Sequence, residues 1–386
     1  MDFEFASPSC YPVVVIVSNQ RVIAAMSGGV DSAVAAGLLK EAGYDVIGVT
    51  MKMYSPKKAP HARSCCGADD FDDARRTAAA LDIPHYVLDF EDVFRRSVVE
   101  RFAEDYTRGR TPNPCVACNN FVKLGTLRTY AKQLGARYIA TGHYARVQHR
   151  SDGPHLFRGR RDKDQAYALA QLTVAQLEML LLPLGDFDKQ ATRQHAQRLE
   201  LPVHDKIESQ DICFVEGGDY RDIVAQLRPQ AMQDGNIVTR DGEAIGRHSG
   251  ITHFTIGQRR GLPSAQGAPR YVTHIDSTTN TIVIGRDDEL LARELVADEV
   301  NLIRPERFRQ GSSTPVRAMA RYRAEPASAK ASVGEDGTLQ LTFERPQRAI
   351  SPGQLVALFS RDDDEVLGAA TIREAGSNGA ALGNCN

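Results

Sequence analysis

Through the first half of the chain, short apolar runs alternate with stretches of helical period. Arg21 to Ala25 (RVIAA) is a strand-like run that meets a glycine turn, Ser27-Gly28-Gly29, and a helical pattern continues from Asp31 to Ala42. Asp45 to Met51 reads as a second strand, the alanine-rich Asp69 to Leu81 as a helix and His85 to Leu88 as a third strand. Val93 to Tyr106 and Asn119 to Leu134 carry helical spacing, and Arg137 to Ala140 is a strand ending at Thr141-Gly142-His143. Thr173 to Leu182 and Lys189 to Leu199 read as two further helices. Strands alternating with helices of this length predict βαβ units and a parallel sheet. Ligands of such sheets bind beyond the C-terminal ends of strands. Both the glycine turn and the Thr141-Gly142-His143 segment fall there.

The pattern changes after about Pro202. From Gly235 onward, alternating runs are broken by Asp241-Gly242, Thr279-Asn280 and Asp336-Gly337, turn dipeptides that predict hairpins. Val316 to Tyr322, Leu339 to Phe343 and Leu355 to Phe359 predict strands of a small β-barrel. The expected fold class is α/β: an N-terminal parallel-sheet domain, a small mixed central domain and a C-terminal β-barrel. The expected boundaries are an unassigned extension at 1–20, the sheet domain at 21–205, the central domain at 206–280, the barrel at 281–375 and a tail at 376–386.

With 42% apolar and 25% charged residues in 386, the chain has the composition of a soluble globular protein. No apolar run approaches the roughly 18 residues a membrane helix needs. The run Val13 to Val17 follows Asp2 and Glu4 rather than a basic segment, so it does not read as a signal peptide. Seven cysteines, two adjacent and two spaced C-x-x-C, do not make a secreted disulfide framework. They point to a cytoplasmic protein with reactive or ligating thiols. The net charge of −2 hides a basic block: between Arg108 and Lys163, twelve Lys and Arg stand against two acids, Asp152 and Asp162. Such a block suits a polyanion, or simply solvated helix faces.

The strongest chemical signal is Ser27-Gly28-Gly29-Val30-Asp31-Ser32 between a strand and a helix. Glycines let the backbone approach a phosphate, and a helix start offers unpaired N–H groups and the positive end of its dipole. The Lys of a Walker A loop is missing, so this loop is not built for γ-phosphate transfer. The second signal is a set of thiols. Cys115 and Cys118 follow two prolines, and Cys118-Asn119 is expected to open a helix, which would lower the Cys118 pKa. Cys213 lies far along the chain in Ser209-Gln210-Asp211-Ile212-Cys213-Phe214. Two close thiols and one distant thiol suit either persulfide transfer with disulfide resolution, or an iron–sulfur cluster on three thiolates. Cys65-Cys66 is an adjacent pair that cannot readily serve one site, and Cys10 and Cys385 lie near the termini.

The S-G-G-V-D-S string resembles the PP-loop of the ATP pyrophosphatase superfamily (adenine nucleotide alpha hydrolase-like fold). Members cut ATP between the α and β phosphates, adenylate a substrate oxygen and release pyrophosphate. Taken with N-P-x-x-x-C (Asn113 to Cys118), T-G-H-Y (Thr141 to Tyr144) and S-Q-D-I-C-F (Ser209 to Phe214), the chain resembles the tRNA-specific 2-thiouridylase (MnmA) family from about Arg21 to about Arg373. That resemblance implies ATP-dependent 2-thiolation of the tRNA wobble uridine, with ATP, Mg²⁺, tRNA and a sulfur-carrier protein as persulfide donor, and no membrane partner. By matching motif, Ala25, Met26, Ser27, Gly28, Gly29, Val30, Asp31 and Ser32 would hold the ATP phosphates, with Met51 and Gly142 beside the nucleotide. Cys118 matches the nucleophile and Cys213 the persulfide carrier. Asn113, Pro114 and Cys115 match the segment that contacts the target base. His143, Lys163, Asp164, Gln165, Arg321, Tyr322 and Gln354 match positions that touch tRNA. Where a common version of the motif has Asp, this chain has Cys115, so Cys115, Cys118 and Cys213 would supply three ligands to a 4Fe-4S cluster. The persulfide and cluster routes both stay open, and the rival readings are a small-molecule PP-loop synthetase and a non-catalytic RNA- or metal-binding protein.

Overall fold

The structure, a computed structural model, describes residues 19–54, 68–160, 162–207, 212–215, 219–263, 269–309 and 311–377. Cys10, the Cys65-Cys66 pair, Ser209 to Asp211 and Cys385 lie outside them. The chain divides into two compact units, residues 1–98 with 115–217, and 99–114 with 218–386.

The first unit is built on a five-stranded parallel sheet. In chain order come β1 (Arg21–Ala25), α1 (Val30–Glu41), β2 (Asp45–Lys52), α2 (Ala68–Ala80) and β3 (His85–Asp89). Next is a helical run of α3 (Glu91–Phe94), a π-helical turn at Arg95–Val99 and, already in the second unit, α4 (Glu100–Thr107). A second run joins α5 (Pro114–Ala117), a π-helix over Cys118–Thr126 and α6 (Leu127–Gln133). Then come β4 (Tyr138–Ala140), a hairpin of β5 (Ala145–Arg150) and β6 (Gly153–Arg158), α7 (Ala166–Leu169), α8 (Val174–Leu177), β7 (Leu180–Leu181) and α9 (Lys189–Arg198).

The sheet order is β3-β2-β1-β4-β7, every pair parallel. After Arg21, strand β1 is an unbroken apolar run because it is central and covered on both faces. Helix α1 is buried nearly all round and uses small residues to fit: a β-carbon on Gly37 would stand 2.7 Å from Leu199. From β1 the chain moves to β2 on one side and later returns to β4 on the other. The ends of β1 and β4 therefore flank the switch point where such sheets bind ligands.

Three local expectations change. The helix expected from Asn119 starts at Pro114, since proline suits a first helical position where its missing N–H costs nothing. The expected helix Thr173 to Leu182 is only α8, capped by Thr173 and Gln176; Leu180 and Leu181 instead pair with Ile139 and Ala140 in the sheet. Tertiary pairing outweighs local propensity there. The β5–β6 hairpin was not expected, although Asp152-Gly153 at its turn is a hairpin signal, with Gly153 at φ +121°.

The second unit holds α10 (Tyr220–Leu227), a four-stranded sheet and a closed barrel. The sheet comprises β8 (Gly235–Thr239), β9 (Ala244–His248), β10 (Tyr271–Asp276) and β11 (Thr281–Gly285), in the order β10-β11-β8-β9. The barrel comprises β12 (Leu291–Leu302), β13 (Thr314–Met319), β14 (Ala327–Val333), β15 (Leu339–Arg348), β16 (Leu355–Phe359) and β17 (Val366–Ser377), closed in the order β12-β15-β14-β13-β16-β17. All three expected hairpin turns are present, and Gly242, Asn280 and Gly337 adopt the positive φ that such turns need. Its inward residues, among them Leu295, Val316, Leu341, Phe343, Val356 and Ile372, form a separate apolar core. The barrel starts at Leu291 rather than 281, because Thr281–Gly285 pairs into the four-stranded sheet. Cys213, expected in a central domain from 206, belongs with the parallel-sheet unit.

Candidate active site

The turn after β1 is shaped for an anion by its own backbone. Gly28 has φ +74°, and a β-carbon there would collide with the backbone of Asp70 at the start of α2. The Ser32 hydroxyl accepts from the Ser27 N–H at 3.1 Å and donates to the Gly29 carbonyl at 3.0 Å, cinching the loop. Gly29 caps α1 without a side chain, so the N–H groups of its first turn point out of a largely buried helix. Across the switch point, Gly142 follows β4 so closely that a β-carbon on it would stand 2.7 Å from the Ser32 nitrogen. The two glycine segments expected to border one ligand are thus in contact. Met26, next to the loop, is buried in the sheet core, and Met51, near the end of β2, is buried as well.

Asp31 faces two groups that the sequence reading missed, one of them backed by a third. Its carboxylate accepts from Lys189 at 2.6 Å and from the Tyr144 hydroxyl at 2.8 Å, and that hydroxyl lies 3.0 Å from Thr192. The available signal was Tyr144, which closes the T-G-H-Y string; nothing in the pattern singled out Lys189 or Thr192.

Cys118 is buried at the beginning of the π-helix, its sulfur 3.8 Å from the Met53 sulfur. Met53 follows β2 directly, which puts the thiol near the loop end of the sheet. Gly125 passes so close to the Asn120 carbonyl that a β-carbon would lie 2.7 Å from it, and Gln176 donates to the same carbonyl at 2.7 Å. Such wide turns are often found at functional positions. Burial pushes the Cys118 thiol up to about 11, with Lys123 pulling the other way and Cys115 adding to the rise. This corrects the expected low pKa: α5 precedes Cys118, so its sulfur is inside the unit and not at the helix start. Burial, with Lys123 adding to it, pushes His143 down to about 3, and its Nδ1 is 2.7 Å from the Thr141 hydroxyl. That imidazole is neutral at physiological pH.

Cys213 sits in a short turn closed by Val215 N–H to the Ile212 carbonyl at 2.9 Å. The next residue, Phe214, is buried edge-to-face against Phe94 of α3, with ring centroids 5.7 Å apart, and α3 packs on the π-helix that begins with Cys118. Cys115 is exposed, whereas Cys118 points inward. Among the described residues no three His, Cys, Asp or Glu form a group able to hold a metal ion. Cys115, Cys118 and Cys213 are not gathered into such a group in this structure, Cys115 being exposed and Cys118 buried.

The remaining expected positions divide by what they already hold. Arg321 and Tyr322 are exposed in a turn after β13, with the Arg323 guanidinium 5.4 Å from the Tyr322 ring. They are not strand residues, as the pattern through Tyr322 had suggested. Asp164 is turned inward, pairing with the buried Arg158 at 2.7 Å and accepting from the Gly159 and Ala166 N–H groups. The Gln165 side chain accepts from the Tyr144 N–H at 2.9 Å, and Lys163 is half-buried beside them. Within the second unit, Gln354 donates to the Thr111 carbonyl at 2.7 Å and Thr111 N–H to the Pro352 carbonyl at 2.7 Å. These bonds fasten the approach to half-buried Asn113 and buried Pro114.

Comparison with known proteins agrees with this layout. The tRNA methyl transferase HUP domain matches residues 20–217, the tRNA methyl transferase PRC-barrel domain 221–286 and the Aminomethyltransferase beta-barrel domain 292–372. The tRNA-specific 2-thiouridylase MnmA of Clostridium perfringens is 44% identical over 359 residues, 92% of this chain and 99% of that protein. That of Carboxydothermus hydrogenoformans is 44% identical over 370 residues, 93% of this chain and 99% of that protein. Among solved structures, the U34-tRNA thiolase NcsA from Methanococcus maripaludis with its 4Fe-4S cluster is similar over 57% of this chain and 68% of that one, at 18% identity and a TM-score of 0.35. The chain belongs to the tRNA-specific 2-thiouridylase (MnmA) family.

Proposed function

We infer that this protein uses ATP to replace the C2 oxygen of the tRNA wobble uridine with sulfur. The reading rests on one observation above all. The anion-shaped loop follows β1, and the buried Cys118 thiol lies against Met53 at the end of β2, the neighbouring strand. An activating nucleotide and a sulfur nucleophile at adjacent strand ends suit a reaction that needs both on one carbonyl.

A uracil C2 oxygen is a poor leaving group. ATP enters as its magnesium complex, the C2 oxygen attacks the α-phosphorus, and pyrophosphate leaves. The N–H groups at the start of α1 steady the growing phosphate charge without reorganising. The outer sulfur of a persulfide on Cys213 then attacks C2 and AMP departs. Next the Cys118 thiolate attacks the inner sulfur. The electron pair of the broken S–S bond stays with the base, which becomes 2-thiouridine. The Cys118–Cys213 disulfide left behind is reduced by two electrons from an external thiol, and a sulfur-carrier protein restores the persulfide. To reach these groups the base leaves its stack, which calls for contacts to flanking nucleotides. Arg321 and Tyr322 offer a cation and an aromatic face for them.

The test is a defined reaction of tRNA, ATP and a persulfide donor, read by nucleoside mass spectrometry and by pyrophosphate release. Cys118→Ala and Cys213→Ala are each expected to lower 2-thiouridine by at least about a hundredfold while pyrophosphate release falls less than about threefold. Normal thiolation by either variant would remove that thiol from the mechanism. Equal pyrophosphate release without tRNA would favour a small-molecule synthetase.

A further inference from the structure

Lys206 lies seven residues before Cys213, in a stretch with no motif of its own. Its ammonium donates to the Gly28 carbonyl at 3.0 Å, to Asp70 at 2.6 Å and to Asp73. These partners come from two elements. Gly28 is the left-handed residue of the anion-shaped loop, while Asp70 and Asp73 stand in the first turns of α2, whose backbone touches Gly28. Arg193 of α9 holds the stretch from its other side, donating to the His204 carbonyl at 3.0 Å and the Lys206 carbonyl at 3.2 Å. Both carboxylates are mostly covered, with side chains 14% exposed. Two largely buried acids beside a loop that must receive a triphosphate would repel it at short range. One ammonium shared between them removes that repulsion and fixes the Gly28 peptide.

We propose that Lys206 is a positioning residue of the ATP site, acting by neutralising Asp70 and Asp73 and by holding the Gly28 carbonyl so that the loop accepts phosphate. Through the same contacts it ties the end of the segment that follows α9 to the nucleotide loop. Burial works against the charge on Lys206, but Asp70 and Asp73 outweigh it and raise its pKa. Burial likewise opposes the Asp73 carboxylate, and Lys206 and Arg76 hold it below the usual range. Lys206 and Asp73 therefore stay ionised through the physiological range.

The inference rests on the ATP-site reading, and the experiment separates the two. Pyrophosphate release is followed at saturating tRNA while ATP is varied. Were the wild-type protein to release none, the site reading would fail, whatever Lys206 does. Given wild-type activity, Lys206→Met is expected to raise the KM for ATP about tenfold or more with kcat changed less than about threefold. Adding Asp70→Asn and Asp73→Asn to that variant is expected to return the KM to within about threefold of wild type, because the repelling charges are gone. An unchanged KM in K206M, or a triple variant no better than K206M, overturns the proposal. If K206M alone does not fold, Asp70→Asn with Asp73→Asn in the presence of Lys206 decides: a KM at or below wild type supports the proposal, and a rise of about tenfold defeats it.

Discussion

At physiological pH nearly every Cys118 sulfur carries its proton, because a thiol pushed up to about 11 ionises in on the order of one molecule in several thousand at pH 7.5. In the proposed reaction a thiol kept in that state is protected from premature oxidation until it is exposed or ionised. The consequence is a pH profile. Site-resolved alkylation of Cys118 by iodoacetamide is expected to rise about tenfold per pH unit from 7 to 10, without levelling near 8.5. A plateau below pH 9 would show that the thiol is activated in the resting protein. Cys118 stands out in the sequence as a candidate, since C-x-x-C after two prolines and a distant Cys213 suit reactive thiols. Its pKa was not legible there, because helix starts lower a thiol pKa and burial raises it. Which effect wins depends on where the helix begins, and Pro114 starts it one turn earlier. Lys206 escaped notice for a similar reason: its partners Gly28, Asp70 and Asp73 are more than a hundred residues away in sequence.

Strands and helices of the parallel sheet could be read almost residue by residue where apolar runs met glycine turns, as at β1, Gly28 and α1. The π-helix could not. Within it Gly125 passes close to the Asn120 carbonyl, which also accepts from Gln176 of α8, and the Thr126 hydroxyl donates to the Phe121 carbonyl. No periodicity announces such a turn. Gly125→Ala would force the β-carbon against that carbonyl, at a cost of about 1–3 kcal/mol. Since Cys118 begins the same helix, thiolation is expected to fall by more than about tenfold while ATP-dependent pyrophosphate release stays within about threefold. Thermal unfolding and the two activity readouts, measured side by side, check this. Equal losses in both activities would mean that the helix has no special role in placing the thiol.

On the scale of the whole molecule, the basic block from Arg108 to Lys163 keeps exposed cations such as Arg137 and Arg150 but turns Arg158 inward. Arg158 is buried on Asp164, Arg146 and Arg150 lie over the Phe157 ring at 5.7 and 5.3 Å, and Arg137 lies over Tyr138 at 5.5 Å. Local charge in sequence says nothing of which way a guanidinium turns. Arg321 and Tyr322 are the opposite case, isolated in the pattern yet exposed together in a turn. Tyr322→Ala is expected to weaken tRNA binding by about tenfold, the worth of one stacked base, and Arg321→Ala to lower the slope of log affinity against log salt by about one. Binding titrations at several salt concentrations would show it, and unchanged affinity and slope would remove the pair from the interface. The layout of sheet unit, small sheet and barrel was legible because turn dipeptides and a change of period mark it. The placing of Cys213 was not, since the stretch that carries it has no strand or helix pattern and is held by side-chain contacts such as Phe214 on Phe94.

The central claim is that ATP activates the very oxygen that sulfur replaces. It is tested most directly with tRNA carrying ¹⁸O at C2 of the wobble uridine, turned over once with unlabelled ATP and a persulfide donor. The account predicts that each 2-thiouridine formed is matched by one AMP bearing a single ¹⁸O on its phosphate. Release of the label as water, or its appearance in pyrophosphate, would contradict it.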